Sequence, residues 1–245
     1  MEKVYDIGID IGSTTIKVIV LNNSEIIFKT YKRHNADIKK SFVEVFNEIK
    51  EIIYNNKIRI KISGSSGMLV SDFFNLEFIQ EVVSSTKAIK KYIPSTDVAI
   101  ELGGEDAKIT YFGNTIDQRM NGACAGGTGA FIDQMAILLN TNAKGVNDLA
   151  KDYDTIYPIA SRCGVFAKTD VQPLINEGVA REDISASILQ AVVNQTIGGL
   201  SAGKKIKGKV AFLGGPLTYL SELRNLFIET LDLKKEEVIF PNNSL

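Results

Sequence analysis

The chain has 245 residues, 44% of them hydrophobic and 23% charged, and its formal net charge is −1. This is the composition of an ordinary globular protein, and so balanced a charge predicts no nucleic-acid or membrane partner. No apolar run approaches the roughly 18 residues of a membrane span. No signal peptide is evident and there are two cysteines, so a cytoplasmic, reducing location is expected. A single histidine argues against histidine-centred metal sites and Ser-His-Asp triads.

The first 95 residues predict one α/β lobe that begins with a three-stranded meander. Alternating apolar residues indicate its strands, and helical spacing of apolar residues follows them. In chain order the pattern predicts strands at 4–10, 15–21 and 25–31, a helix at 38–54, a strand at 57–63 and a helix at 82–92.

The second lobe, residues 96–245, repeats the beginning of the first. Strands are predicted at 98–102, 107–112, 209–213 and 238–240, and helices at 130–139, 184–200 and 221–231. In both lobes a strand with an acidic residue leads into a glycine turn, and the return strand carries a lysine, Lys17 or Lys108. The repeat predicts two related hairpins that face each other as a phosphate clamp.

The first hairpin is a candidate phosphate-binding turn. Its backbone N–H groups and hydroxyls can bind phosphate oxygens, and an acidic residue at the strand end can hold Mg²⁺, directly or through water. The lysine can offset phosphate charge. The candidate residues are Asp10, Gly12, Ser13, Thr14, Thr15 and Lys17. An ordinary hairpin made of turn-forming residues is the alternative explanation.

The second hairpin surrounds a Gly-Gly turn with charged side chains. Glu105 is a candidate for orienting an attacking water, and Asp106 or Glu101 for contacting the shell of a metal ion. The candidate residues are Glu101, Gly103, Gly104, Glu105, Asp106 and Lys108. The alternative is a solvated hairpin tip, and the duplication of the first hairpin favours the functional interpretation.

A third glycine motif, Gly214-Gly215-Pro216, follows the strand predicted at 209–213. A Gly-Gly turn between a strand and a helix lets the backbone approach a nucleotide base or sugar. A plain strand-to-helix turn explains the same residues.

Both cysteines lie in small-residue turns that lead into helical patterns. Cys124 precedes Gly127, Thr128 and Gly129, and free N–H groups at that helix start would favour negative charge. Cys163 lies in a similar setting. Buried thiols are the alternative. Two thiols cannot complete a four-thiolate site, but a twofold dimer would bring four together. His34, in a polar loop, is expected at the surface.

Taken together, five motifs resemble ATP-dependent activators of 2-hydroxyacyl-CoA dehydratases and benzoyl-CoA reductases, of the BadF/BadG/BcrA/BcrD type. They are D-I-G-S-T-T, L-G-G-E-D-A-K, C-A-G-G-T-G, S-R-C-G-V-F-A and L-G-G-P. The two cysteine motifs distinguish activators from the kinases and chaperones of the same superfamily. The resemblance covers essentially the whole chain and implies an actin-like, ribonuclease H-like α/β ATPase fold with two lobes flanking a nucleotide cleft.

The resemblance also implies cofactors and partners. Two subunits of a homodimer would each give Cys124 and Cys163 to one [4Fe–4S] cluster. ATP or ADP with Mg²⁺ would bind at the glycine motifs, with Asp10, Glu105 and Asp106 as catalytic residues. Hydrolysis would drive an electron from a donor such as ferredoxin or flavodoxin to a 2-hydroxyacyl-CoA dehydratase or a related reductase, under anaerobic conditions.

The chain departs from that family in two places. Small activators usually carry D-I-G-G-Q-D where this chain has E-L-G-G-E-D, so Glu105 replaces a glutamine, and the sequence looks closer to the N-terminal repeat of long activase-like proteins. The family also continues into a small-residue return helix, whose G-A-x-G-A run is missing here, so a fragment is expected. A small-molecule kinase of the same superfamily and a non-catalytic nucleotide-binding assembly module are the alternative functions.

Overall fold

The computed structural model describes residues 3–121, 126–160 and 163–244, and the chain folds into two compact units, Met1–Tyr92 and Ile93–Leu245. Each unit has its own five-stranded sheet and its own hydrophobic core. Among the described residues, no helix is both long enough and apolar enough to cross a lipid bilayer.

The first unit contains five strands in the order β3-β2-β1-β4-β5. Strand β2 is antiparallel to both β1 and β3, whereas β4 is parallel to β1 and β5 is parallel to β4. The elements in chain order are β1 (Val4–Ile11), β2 (Thr15–Asn22), β3 (Glu25–Arg33), α1 (Ile38–Ile53), β4 (Lys57–Ser63), α2 (Gly67–Phe74), β5 (Glu77–Phe78) and α3 (Glu81–Tyr92).

Alternation of apolar residues explains why these segments form the sheet. In β1 every second side chain, from Tyr5 to Ile11, is buried, as expected for a strand with one face on a core. Helix α1 adds Phe42, Val45 and Ile49 to the same core. Asp37 caps this helix by accepting a hydrogen bond from the Lys40 amide.

The second unit has strand order β10-β9-β6-β7-β8. Its elements are β6 (Val98–Leu102), β7 (Ala107–Tyr111), β8 (Asp117–Met120), α4 (Gly129–Leu138), α5 (Ala143–Leu149), α6 (Gly164–Asn176), α7 (Arg181–Ser201), β9 (Val210–Leu213), α8 (Gly215–Tyr219), α9 (Ser221–Thr230) and β10 (Val238–Ile239), with short 3-10 turns at Ala150–Asp152 and Lys235–Glu237.

The two sheets share one topology, so the repeat extends beyond the hairpins. Read in reverse, the second sheet runs β8-β7-β6-β9-β10, which corresponds strand by strand to β3-β2-β1-β4-β5. As in the first unit, the central hairpin is antiparallel, and the fourth and fifth strands are added in parallel.

Some short elements, such as α2 and β8, were not predicted from the sequence. Helix α2 directs Gly67, Val70 and Ser71 toward the core and exposes apolar side chains such as Leu69 and Phe73, so its apolar residues do not mark its inner face. Strand β8, with sequence D-Q-R-M, lies at the edge of its sheet and has no buried side chain. Helix periodicity and strand alternation are recognisable only when apolar residues are confined to the buried face, which is not the case in these segments.

Candidate functional site

The first hairpin holds its acidic residue in a fixed position. The amide of Gly12 donates to the carbonyl of Thr15 over 3.0 Å and closes one side of the turn. Asp10 faces Lys17 across the strands, and Lys17 Nζ donates to Asp10 Oδ2 over 2.7 Å. Ser63 Oγ donates to Asp10 Oδ1 over 3.0 Å. Both carboxylate oxygens therefore have protein partners while the side chain stays 24% exposed.

The loop after β4 is part of this arrangement, although the sequence analysis assigned it no role. Gly64 has a φ of +93°, and a Cβ atom there would overlap the carbonyl of Ile11 and lie 2.7 Å from Asp10 Oδ1. Only glycine fits this close approach. The Ser66 amide also donates to the Ile11 carbonyl over 2.9 Å. The signal in the sequence is a glycine directly after a strand, the same signal used for Gly214.

The prediction that His34 is a surface histidine is wrong. Its side chain is buried, with 4% of its surface exposed. Its Nε2 lies 3.0 Å from the carbonyl oxygen of Gly12, and its Nδ1 accepts a hydrogen bond from the Ala36 amide over 3.2 Å. Its own amide donates to the carbonyl of Thr14. A polar neighbourhood in the sequence hid this role, because the partners lie about 20 residues earlier in the chain.

The second hairpin has the same turn, but its charged side chains lie in different surroundings. The amide of Gly103 donates to the Asp106 carbonyl over 2.7 Å, as Gly12 does to Thr15. Lys108 is buried with 5% exposure, and its Nζ lies 3.6 Å from Glu101 Oε1. The turn residues 103–106 are half-buried or exposed, so the alternative explanation of a solvated hairpin tip stays open.

The return strand is also fixed from outside the turn. Asn121 accepts a hydrogen bond from the Ala107 amide over 2.8 Å and donates to the Glu105 carbonyl over 3.3 Å. Asn121 comes directly before residues 122–125, which lie outside the described part of the chain and include Cys124.

The start of α4 is bonded to the second hairpin. The amide of Gly129 donates to the Gly103 carbonyl over 3.0 Å, and the amide of Ala130 donates to the Gly104 carbonyl over 2.7 Å. A Cβ atom on Gly129 would lie 3.2 Å from both the Gly103 oxygen and Pro216 Cγ. The expectation that these N–H groups are free for an anion is therefore wrong for Gly129 and Ala130.

Three predicted motifs thus meet within the second unit: the Gly103-Gly104 turn, the start of α4 and Pro216. The residues just before α4, Gly127 and Thr128, are buried, and a Cβ atom on Gly127 would meet helix α7 at Gln195 and Thr196. Nucleotide contact by these residues stays a prediction.

The third glycine motif has the same construction as the loop after β4. Gly214 has a φ of +91°, and a Cβ atom there would overlap the carbonyl of Leu102, the counterpart of Ile11. Gly215 and Pro216 open the five-residue helix α8, where proline suits the first turn. Arg224 Nη1 donates to the last carbonyls of α8, Leu217 over 2.8 Å and Thr218 over 2.7 Å.

Only one of the two predicted thiols can be located, because Cys124 lies outside the described residues. Cys163 occupies the N-cap position of α6, and its side chain is half-buried. The structure therefore confirms that Cys163 stands at a helix start, and the meeting of the two thiols remains a prediction. Within the described part of the chain, no group of three or more His, Cys, Asp or Glu side chains could hold a metal ion.

The segment 153–160, which we call the strap, leads toward Cys163 without regular secondary structure. Its backbone amides donate hydrogen bonds to side chains of α6 and α7. Those of Asp154 and Thr155 donate to Asp183 Oδ1 over 2.8 and 3.0 Å. Further along, the Tyr157 amide donates to Ser187 Oγ over 2.8 Å, and the Ala160 amide donates to Asp170 Oδ2 over 2.7 Å. Helices α6 and α7 therefore hold the approach to the thiol.

Comparison with known proteins gives consistent matches. The chain is 28% identical over 217 residues to the 2-hydroxyisocaproyl-CoA dehydratase activator of Clostridioides difficile, covering 86% of this chain and 80% of that protein. It is 26% identical over 247 residues to the activator of lactoyl-CoA dehydratase of Anaerotignum propionicum, covering 97% and 92%.

Structural comparison agrees. The crystal structure of component A of the (R)-2-hydroxyglutaryl-CoA dehydratase of Acidaminococcus fermentans superposes with a TM-score of 0.85 at 25% identity, covering 98% of this chain and 93% of that one. This match confirms the predicted actin-like α/β fold. The BadF/BadG/BcrA/BcrD ATPase family profile matches residues 7–239. The chain therefore belongs to the BadF/BadG/BcrA/BcrD ATPase family.

Proposed function

We propose that this protein is an ATP-hydrolysing, iron–sulfur activator that delivers a low-potential electron to a 2-hydroxyacyl-CoA dehydratase or a related reductase. Family membership and relatives named as dehydratase activators support the proposal. The observation that carries it lies in the second unit. There the candidate phosphate turn, Gly103-Gly104, is bonded directly to the start of α4, the helix that follows the Cys124 motif. A change in that turn is transmitted to the cysteine segment through backbone hydrogen bonds.

The first unit supplies the carboxylate that fits a magnesium nucleotide. Mg²⁺ keeps most of its waters and is usually held by one or two carboxylates together with substrate phosphates. Both oxygens of Asp10 already accept hydrogen bonds, from Lys17 and Ser63, which suits contact with the ion through water. When bound, Mg²⁺ would neutralise phosphate charge. Phosphoryl transfer depends mainly on such positioning and charge neutralisation.

The second unit supplies the group that would orient the attacking water. Glu105 lies in the turn between Gly103 and Asp106, and Asn121 Nδ2 holds its backbone carbonyl. We assign Glu105 the role of accepting a hydrogen bond from the water, with Asp106 beside it. A carboxylate accepts a proton from water more readily than the glutamine that small activators carry at this position.

The cysteines are the proposed ligands of a [4Fe–4S] cluster shared by two copies of the chain. Cys163 fits this role by its chemistry and by its place at the N-terminus of the 13-residue helix α6, whose positive end favours a negatively charged cluster. Cys124 would be the second ligand from each chain. When bound, the cluster would supply the electron, which a donor such as ferredoxin or flavodoxin would restore.

Anaerobic purification of the wild-type chain and of two variants tests the proposal. The wild-type protein is expected as a brown dimer with broad absorption near about 400 nm. Cys163→Ala is expected to lose iron and keep nucleotide binding. Val165→Ala, an exposed change on the same helix, is the matched control and should retain iron. Full iron content in Cys163→Ala would refute the ligand assignment.

Gly129→Ala tests the link between the turn and the cysteine segment. Its new methyl group would press on Gly103 and Pro216 at 3.2 Å and displace the start of α4 from the second hairpin. We expect normal iron content and about a tenfold loss of ATP-dependent electron delivery to a dehydratase, for a displacement costing roughly 1.4 kcal/mol. Unchanged electron delivery would show that the turn does not act on the cysteine segment. ATP hydrolysis by an iron-free wild-type protein would instead favour a kinase, and nucleotide binding without turnover would favour an assembly module.

A further inference from the structure

We propose that His34 is a positioning residue for the phosphate turn of the first unit, an inference that rests on the proposed nucleotide function. Its imidazole binds the Gly12 carbonyl, which would otherwise form a hydrogen bond within the hairpin. One side of the turn is thereby left open for phosphate oxygens. The residue is buried, it contacts the turn at two points, and none of the motifs that define the candidate site includes it.

The hydrogen bonds determine which ring nitrogen carries the proton. The Ala36 amide donates to Nδ1 over 3.2 Å, so Nδ1 is the unprotonated acceptor. Nε2 then carries the hydrogen and donates it to the Gly12 carbonyl over 3.0 Å. His34 is therefore a neutral imidazole that connects the turn to the loop between β3 and α1.

This loop is itself shaped to present the ring. Asn35 and Ala36 both have positive φ angles, 47° and 64°, a conformation that is unfavourable for alanine. The bond from the Ala36 amide to Nδ1 and the bond from the Asp37 amide to the His34 carbonyl, 2.8 Å long, stabilise this path. A loop under strain at this point indicates that the position of the ring is maintained against local preference.

The bond to Gly12 changes the hydrogen bonding of the hairpin. In a two-residue hairpin the fourth residue's amide usually donates back to the first residue's carbonyl. Within the described residues, the Thr15 amide makes no such bond to Gly12, whose carbonyl is bound by His34 instead. The turn is thus closed on one side only, by the bond from Gly12 to Thr15.

The second unit reaches the same arrangement by another route. There the Gly103 carbonyl, the counterpart of the Gly12 carbonyl, is bound by the Gly129 amide at the start of α4. The Asp106 amide makes no bond to Gly103 among the described residues. Two different donors, an imidazole and a helix start, thus produce the same half-open turn, which indicates that the open side has a function.

The function follows from peptide geometry. In a trans peptide the carbonyl and the next residue's N–H point in opposite directions. His34 binds the carbonyls of Gly12 and Thr14, through its side chain and its amide, so the N–H groups of Ser13 and Thr15 point away from it. These are candidate phosphate donors. By fixing both peptide planes before nucleotide arrives, His34 lowers the ordering cost of binding and hydrolysis.

Because His34 is the chain's single histidine, ¹⁵N-histidine labelling gives one imidazole to observe by NMR. We expect the Nε2–H tautomer, slow exchange of that hydrogen with water, and a shift of the signal when Mg-ADP is added. An Nδ1–H tautomer, or an imidazole in rapid exchange with solvent, would overturn the assignment without any assay of activity.

Two variants separate positioning from folding. In His34→Gln the side-chain amide can still donate to the Gly12 carbonyl, whereas in His34→Asn the shorter side chain retains an acceptor near the Ala36 amide but cannot reach Gly12. We expect His34→Gln to keep kcat/KM for ATP within about threefold, and His34→Asn to lose about tenfold or more, because the part-buried Gly12 carbonyl loses its donor and its peptide plane is no longer fixed. Unfolding midpoints measured in urea control for stability.

The outcomes distinguish the two proposals. If the wild-type chain hydrolyses ATP and the two variants have equal kcat/KM, the positioning role of His34 is overturned and the proposed function stands. If the wild-type holoprotein neither binds nor hydrolyses Mg-ATP, the proposed function fails, and the role of His34 fails with it.

Discussion

In the first unit, Asp10 faces Lys17 at 2.7 Å and both side chains are partly exposed, whereas in the second unit Glu101 faces a buried Lys108 at 3.6 Å. The strand beside each acid also differs. Ser63 lies opposite Asp10 and donates to it, and Leu213 lies at the equivalent position opposite Glu101.

We propose from this difference that one hairpin design serves two tasks. A hydroxyl and a lysine hold the carboxylate of Asp10 at an exposed place, which suits a metal ion and its waters. In the second hairpin the lysine is buried, and the turn is bonded to α4 through Gly129 and Ala130. We therefore assign nucleotide charge to the first unit and transmission to the cysteine segment to the second.

The largest expected effect comes from replacing the acidic residue of each hairpin. Asp10→Asn removes the charge that would hold Mg²⁺ and should reduce ATP hydrolysis about a hundredfold or more, the size typical for loss of an electrostatic partner in a transition state. Glu101→Gln is the matched change in the other unit and should cost about tenfold or less. Steady-state phosphate release at saturating Mg-ATP measures both.

Equal losses in Asp10→Asn and Glu101→Gln would mean that the two acids share one role. Unchanged turnover in Asp10→Asn would exclude its role at the metal. Unfolding midpoints of both variants are measured alongside, because Glu101→Gln removes the negative charge beside the buried Lys108 and should lower stability more than Asp10→Asn does.

The sequence predicts most of the sheet and both hairpins, because strands such as β1 alternate strictly between buried and half-exposed residues. The glycine turns and the lysines were also identifiable, since each motif is continuous in the chain. The topological identity of the two sheets follows less directly, because β5 and β10 have only two residues each and carry almost no pattern.

The contacts that shape the site were not predictable. Ser63 and His34 reach the first hairpin from 53 and 22 residues away, and nothing in their own neighbourhoods identifies the partner. The bonds from Gly129 and Ala130 to the second hairpin also depend on tertiary structure. A pattern identifies groups that can bind a ligand, and it cannot reveal that the protein's own backbone already uses some of them.

A second prediction concerns the glycines that close over each hairpin. Gly64→Ala and Gly214→Ala place a methyl group on the Ile11 or Leu102 carbonyl at positive φ, and each should destabilise its unit by about 3 kcal/mol or more, because strain and overlap add. Gly178→Ala is the control, since its φ is +76° and nothing lies within 4 Å of the added atom.

The control should cost only about 1 kcal/mol, the backbone term alone. Denaturant unfolding followed by circular dichroism measures all three variants. If Gly64→Ala cost no more than Gly178→Ala, the close passage of the β4 loop over the first hairpin would be wrong. A large effect in one unit only would show that the resemblance of the two loops is superficial.

The smallest expected effect concerns an exposed acid in each unit. Hydrogen bonds from Lys204 and Arg119 lower the pKa of Asp117, and the Arg59 guanidinium lowers the pKa of Asp6. A carboxyl whose pKa is lower in the folded state stabilises the protein above its unfolded value of about 3.9, and this stability is lost as the pH falls through the folded value.

Asp117→Asn and Asp6→Asn should therefore lower the thermal midpoint at pH 7 by at most about 3 °C each, because exposed ion pairs contribute little. The difference from wild type should shrink as the pH falls below about 4. Scanning calorimetry over this range measures it. A deficit that stayed constant down to pH 3 would indicate lost packing, and not lost charge.

The strap that leads to Cys163 is held by residues that are distant from it in the sequence. Its backbone amides donate hydrogen bonds to the side chains of Asp183, Ser187 and Asp170, which belong to helices and not to neighbouring strands. The side chains of Tyr153 and Ile159 in the strap also pack against the hydrophobic core of the second unit, so the path of this segment depends on both the three acceptors and the core. We therefore expect substitutions at Asp170, Asp183 or Ser187 to loosen the segment that leads to Cys163, although none of these side chains belongs to the glycine turns.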